Sequence, residues 1–169
     1  GFLKNLQGRG RFCMAKRKLT AEQIIKRKDA AFRKKIRNIF LAAGFISFNT
    51  LNKQKKIGRR YIEIDAVFVY ENIMLLCEDT GATNKIKDHI RKKMEAFNEI
   101  TENFDEFYDW LISVFPENEA VIRKYESSKY KIFNLYFSQN ELSLTNDERE
   151  LYSSIKFIEP QTLNYFHRI

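Results

Sequence analysis

Two apolar runs separated by one polar dipeptide constrain the fold of this chain more than any other feature. Tyr61-Ile-Glu-Ile-Asp-Ala-Val-Phe-Val-Tyr70 alternates strictly in its first half, as a strand with two unlike faces does. Glu71-Asn72 follows, and then a second run, Ile73-Met-Leu-Leu-Cys-Glu78. Together they predict a β-hairpin with a two-residue loop. If Tyr70 pairs with Ile73, the same register sets Asp65 opposite Glu78. Opposed residues project from one sheet face with Cβ atoms about 4.5–5.5 Å apart, and like charges there destabilise unless one is protonated or a cation lies between them. Two carboxylates and waters suit Mg²⁺, for which Mn²⁺ substitutes. The competing reading makes Glu78 a solvent-facing strand end, with the register displaced by one or two residues. Glu63 shares a face with Asp65 and would oppose Thr80, so three acids crowd one hairpin. Lys85, Lys87 and Arg91 in the next helix come near them, either to neutralise the acids or to hold a phosphate.

The remaining segments surround this hairpin with helices. Thr20 to Ala43 reads as a long helix, with Ile25, Phe32, Ile36, Ile39, Phe40 and Ala43 at helical spacing and Gly44 as its terminator. Thr83 or Asn84 caps a second helix from Lys85 to about Ile100, and Asp105 to Phe115 forms a third, closed by Pro116. Glu117–Tyr125 gives a short helix and Tyr130–Phe137 an apolar strand buried on both faces. Thr145-x-x-Glu148 is a capping box, Ser154–Ile158 a last strand, and Pro160 opens a final helix. The order predicts an α/β fold of three layers, with a central mixed sheet of about four to five strands whose late members join in parallel.

Charge divides the chain unevenly. Residues 1–40 hold 13 Lys and Arg against Glu22 and Asp29, a balance of +11 within a net charge of +8. Such a cationic segment on a mildly acidic body suits nucleic acid, DNA or RNA, whose condensed counterions it releases. Alternatives are a solubilising arm or an anionic lipid surface. Residues 1–19 read as a basic arm and 20–169 as the folded domain. Gly1–Cys13 lacks an apolar secretory core and reads as a processed or appended end, with Met14 a candidate start. No run of eighteen apolar residues predicts a membrane span. Two cysteines, Cys13 and Cys77, make neither a disulfide framework nor a zinc site, which fits a reducing cytoplasm.

A helix with a basic face, Ile64-Asp65 on a strand, a short turn and Leu75-Leu76-Cys77-Glu78-Asp79-Thr80 before a helix resembles the restriction-endonuclease-like, PD-(D/E)xK nuclease superfamily. The later segment, with Ile155-Lys-Phe-Ile158 and Leu163-Asn-Tyr-Phe166, is similar to the endonuclease-like domain that accompanies some DGQHR-domain proteins of DNA modification systems. The resemblance covers about Thr20 to Ile169. It implies Asp65 and Glu78 as Mg²⁺ ligands, the main-chain carbonyl of Asp79 as another, and a lysine that orients the attacking water. Thr80 stands where the family usually has that lysine. Either Lys85 or Lys87 reaches in from the helix, or the site is degenerate.

The expectation is therefore a DNA-binding, Mg²⁺-dependent phosphodiester hydrolase with Asp65, Glu78, Lys85, Lys87 and Glu63 in its site. Lys26, Arg33, Lys34 and Arg37 on the first helix, with Lys53, Lys55, Lys56, Arg59 and Arg60, would hold DNA phosphates. The alternative is an inactive DNA-binding or assembly module of a modification or defence system. Assembly as a homodimer, or with other domains of a larger protein, fits either. His89, amid Lys and Asp, reads as exposed rather than as a general base. Cys77 reads as a buried thiol, and Phe104, Phe107, Tyr108, Trp110 and Phe115 as core packing.

Overall fold

The computed structural model describes residues 17–168. The chain divides into two units, Gly1–Ala31 and Phe32–Ile169. Residues 1–16, and so most of the expected arm, lie outside the described residues. In the first unit, α1 (Ala21–Ala42) begins at a capping box. The Gln23 amide donates to Thr20 Oγ1 (3.1 Å) and the Thr20 amide to Gln23 Oε1 (2.9 Å). Ile25, expected on the packed side, is exposed, as is Ile24. No helix among the described residues is long and apolar enough to cross a membrane.

In the second unit, α1 ends in a Schellman turn. Gly44 adopts φ 94°, the Phe45 amide donates to the Phe40 carbonyl (3.0 Å) and the Gly44 amide to the Leu41 carbonyl (3.1 Å). The Phe40 and Phe45 rings, 5.5 Å apart, supply the apolar contact that accompanies such a turn. The strands are β1 (Ile46–Phe48), β2 (Gln54–Ile57), β3 (Arg60–Glu63), β4 (Ala66–Tyr70), β5 (Ile73–Thr80), β6 (Lys131–Ser138) and β7 (Ile155–Ile158). The main sheet runs β1-β4-β5-β6-β7, while β2 and β3 form a separate ribbon. Strand β4 is antiparallel to both its neighbours, and β5, β6 and β7 are mutually parallel. The fold is mixed α/β with a five-stranded mixed sheet, as the element order predicts.

Helices cover both sheet faces. Val67, Met74, Leu76 and Tyr136 meet α2 (Ile86–Glu102) and α3 (Phe104–Val114) through Ile90, Phe97, Phe107 and Leu111. On the other face Phe68, Leu75, Cys77 and Phe137 meet Phe32 and Ile36 of α1 and Leu163 of α6 (Pro160–Arg168). Each such fully buried side chain contributes roughly 1.5–3 kcal/mol. The expected aromatic group of α3 packs here too, with Phe107 wholly buried. Between these helices lie α4 (Glu119–Ile122) and α5 (Asn146–Leu151). The latter opens with the expected capping box of Thr145 and Glu148.

The hairpin register is the one the two-residue loop predicts: Tyr70 pairs with Ile73 and Ala66 with Cys77. Glu71 takes φ 49° in the loop, its carboxylate held by Lys124 (2.7 Å) and the Tyr125 hydroxyl (2.8 Å). Three expectations change. Residues 61–70 are not one strand, because the chain bends at Ile64–Asp65, where the Thr50 hydroxyl donates to the Ile64 carbonyl. The basic stretch before them folds as β2 and pairs with β3. Strand β6 is buried on both faces only in its second half, and Phe133 is exposed.

Candidate active site

The bend at Asp65 delivers a carboxylate to the open end of the hairpin. Asp65 precedes the first residue of β4, and its Oδ2 accepts from the Asp79 amide at 3.0 Å. That bond pins the half-buried acid against β5. Strand alternation then sends consecutive β5 residues to opposite faces. Asp79 points toward α1, where Arg33 Nε lies 3.1 Å from its Oδ2. Glu78 points toward α2 and is 1% exposed.

Glu78 is unusual among the described residues. Its Oε2 lies 3.1 Å from the Lys93 ammonium, whereas its Oε1 has no hydrogen-bond partner. Burial pushes its carboxyl well above the ordinary range and the Asp65 charge adds to this, against the opposing pull of Lys93. A buried acid with one bare oxygen beside a second acid is costly, since an unmade bond leaves its desolvation uncompensated.

Helix α2 supplies two further groups one turn apart. Lys93 is half-buried above Glu78, and His89 sits on the same helix face, its Nδ1 2.6 Å from the Tyr136 hydroxyl. Tyr136 is the β6 neighbour of Glu78 in the parallel register. Burial lowers the His89 pKa, Lys93 lowers it further and Asp65 opposes them, so the imidazole is neutral at pH 7. Burial pushes the Tyr136 phenol up. Thr80 accepts from the Ala82 amide (3.1 Å) and also lies within hydrogen-bond reach of the Tyr136 hydroxyl. These side chains gather at the C-terminal ends of β5 and β6, where ligands of open α/β sheets commonly bind. A groove of about 270 Å³ beside them is lined by Arg60, Tyr61, Glu63, His89, Lys92 and Lys93, among others.

Of the expected site residues, Asp65, Glu78 and the Asp79 main chain come together, and Glu63, Lys85 and Lys87 do not join them. Glu63 belongs to the β2–β3 ribbon, opposite Gln54 rather than Thr80, and accepts from the Asn52 amide (3.2 Å) and Gln54 Nε2 (3.4 Å). The separate ribbon takes it out of the hairpin, leaving two acids where three were expected. Lys85 is the exposed N-cap of α2 at φ 52°, a place expected for Thr83 or Asn84. Lys87 lies 2.8 Å from Glu148, and Arg91 lies 3.7 Å from Asp88. Asp79, expected to offer its main-chain carbonyl, bonds Asp65 through its amide, and its carboxylate faces Arg33 on the far side of the sheet.

His89 is half-buried and bonded, not exposed; burial against Tyr136 overrides its charged neighbours in sequence. Cys77 is a buried thiol whose pKa burial raises, as expected. Sequence reasoning passed over Lys93 and Tyr136. The signal was present: Ile86, Ile90, Lys93, Phe97 and Ile100 form one helical stripe, so Lys93 stands on a face that is otherwise apolar.

Taken unit by unit, some of the expected phosphate contacts are held in ion pairs and the rest are exposed. In the first unit, Lys26 lies 3.5 Å from Glu22. In the second, Arg33 is tied to Asp79 and Arg60 to Glu95 (2.7 Å). Lys34, Arg37, Lys53, Lys55, Lys56 and Arg59 are exposed.

Asp65 and Glu78 are donors of the type a divalent cation takes. The bare Glu78 Oε1 beside Asp65 is an oxygen-only donor set, and Mg²⁺ characteristically takes one or two carboxylates and completes its shell with water. Among the described residues, no group of three or more His, Cys, Asp and Glu side chains converges on a metal position. Comparison with protein-family models, with curated proteins and with solved structures finds no match for the chain.

Proposed function

We propose that this chain binds DNA and hydrolyses its phosphodiester bonds, in the manner of the restriction-endonuclease-like nucleases it resembles, with Asp65 and Glu78 holding Mg²⁺ or Mn²⁺. The observation that supports this reading best is the bare, buried Glu78 Oε1 beside Asp65. A fold selected for stability alone gains by replacing that acid with an apolar residue.

Each residue has a role in this reading. Asp65 and Glu78 Oε1 would face the cation, whose binding would be coupled to loss of the proton that burial favours on Glu78, and the Asp79 amide holds Asp65 in place. When bound, the cation supplies Lewis acidity toward the phosphoryl oxygens and lowers the pKa of a water. Lys93 takes the part of the lysine that Thr80 replaces in the tripeptide, reaching Glu78 from the helix as Lys85 or Lys87 was expected to do. Its ammonium offers charge to a phosphate or to the attacking oxygen. Neutral His89, held by Tyr136, orients water beside the groove.

Plasmid cleavage with Mn²⁺ tests the proposal, run with Asp65→Asn and Lys93→Ala beside the unaltered protein. Cleavage that Asp65→Asn abolishes and Lys93→Ala cuts by about 10²-fold or more is expected, since removing one charge-stabilising group costs that order. A specific observation also favours a second reading, the inactive module. Lys93 already neutralises one Glu78 oxygen, and Thr80 lacks a cationic head. DNA binding without cleavage in either metal selects that module.

A further inference from the structure

The groove between β3 and α2 carries features that the acid pair does not require. Tyr61 projects from β3 with 76% of its surface exposed, although its chain neighbour Ile62 is buried. It stands opposite Lys56 in the ribbon register and lines the same groove as His89 and Lys93. Arg60 and Lys92 line that groove as well, together with Glu63 and Glu95, and Arg60 lies 2.7 Å from Glu95, so its walls combine one flat aromatic ring with three cations and two carboxylates.

This combination specifies a ligand that is flat and anionic together. Successive bases of an unpaired strand stack on aromatic side chains while basic groups track the backbone. Bases inside a duplex are stacked on each other and offer no free face. The ribbon is also held firmly enough to present the ring. At its tip the Gly58 amide donates to Glu106 (3.0 Å) and the Arg59 amide to Glu99 (2.8 Å).

We propose that this groove takes an unpaired polynucleotide strand, with one base stacked on Tyr61 and the adjoining phosphate toward Lys93. The inference rests on the nucleic-acid reading above but not on hydrolysis. Fluorescence anisotropy tests it, with labelled oligothymidine, oligouridine and a DNA duplex of equal length, all in EDTA so that no strand is cut. Unpaired strands are expected to bind more tightly than the duplex. Tyr61→Ala weakens them roughly tenfold, the scale of one missing base stack, whereas Tyr61→Phe keeps the affinity. The salt slope stays unchanged in both variants because every phosphate keeps its cation. The DNA and RNA oligomers identify which sugar the groove prefers, if either. Duplex binding equal to that of single strands, or affinity indifferent to Tyr61→Ala, overturns the inference. Tyr61-dependent strand binding in a protein that cleaves nothing leaves it standing and overturns hydrolysis alone.

Discussion

At the residue scale, Glu78 ties stability to pH. Its folded pKa lies well above the unfolded one, so between the two values the folded state holds a proton that the unfolded chain has released. Stability therefore falls as pH rises from the ordinary carboxylate range toward the folded pKa. Glu78→Gln removes that slope. Melting curves from ~pH 5 to ~pH 8 should show the variant gaining on the unaltered protein as pH rises, and parallel curves would contradict the assignment. His89 acts oppositely: with its folded pKa lowered, its contribution is lost as pH falls through the imidazole range. Lys93→Ala leaves Glu78 buried without its cation. Breaking such a pair costs ~3–5 kcal/mol, and the low end is expected because Glu78 can take up a proton. Urea midpoints at unchanged m-value measure this loss.

At the scale of elements, the ribbon depends on its tip. Gly58 holds φ 60°, and a Cβ there would lie 2.3 Å from Glu99 Oε1 and 2.4 Å from Asn103 Nδ2. Gly58→Ala should cost at least the ~1–2 kcal/mol of left-handed strain, and should weaken strand binding more than Tyr61→Ala does. Calorimetry and anisotropy on one preparation check both effects. The hairpin register was legible because period-2 alternation and a two-residue loop leave little freedom, and the late parallel strands followed from helices between them. Strand β1 has three residues, too few to show a period. Strand β2 reads Gln-Lys-Lys-Ile with only its last residue buried, which is how an isolated ribbon hides within a basic loop. The acid pair was legible for the same reason as the hairpin. Lys93 was passed over because its helical face was read from its apolar members, and His89 because its neighbours in sequence are charged.

At the scale of the whole molecule, a net charge of +8 should make the proposed affinity for nucleic acid strongly salt-dependent. Replacing Lys53, Lys55 and Lys56 together by Ala should flatten the log–log salt slope by roughly 0.9 for each phosphate the variant no longer neutralises, and an unchanged slope would place the phosphate-binding cations elsewhere. In the proposed function these exposed lysines would act through charge, whereas Asp65 and Glu78 would act through position. The bend of the chain before β4 and the pairing of β4 with β5 bring the two acids together, and α2 roofs them with Lys93. Whether that pair holds a cation decides between a nuclease and an inactive module. Crystals grown with Mn²⁺ and measured for anomalous scattering test it directly. The predicted result is a peak touching Asp65 and Glu78 Oε1 that vanishes in Glu78→Gln. A map with no peak there, or a peak that survives the substitution, would contradict the metal site.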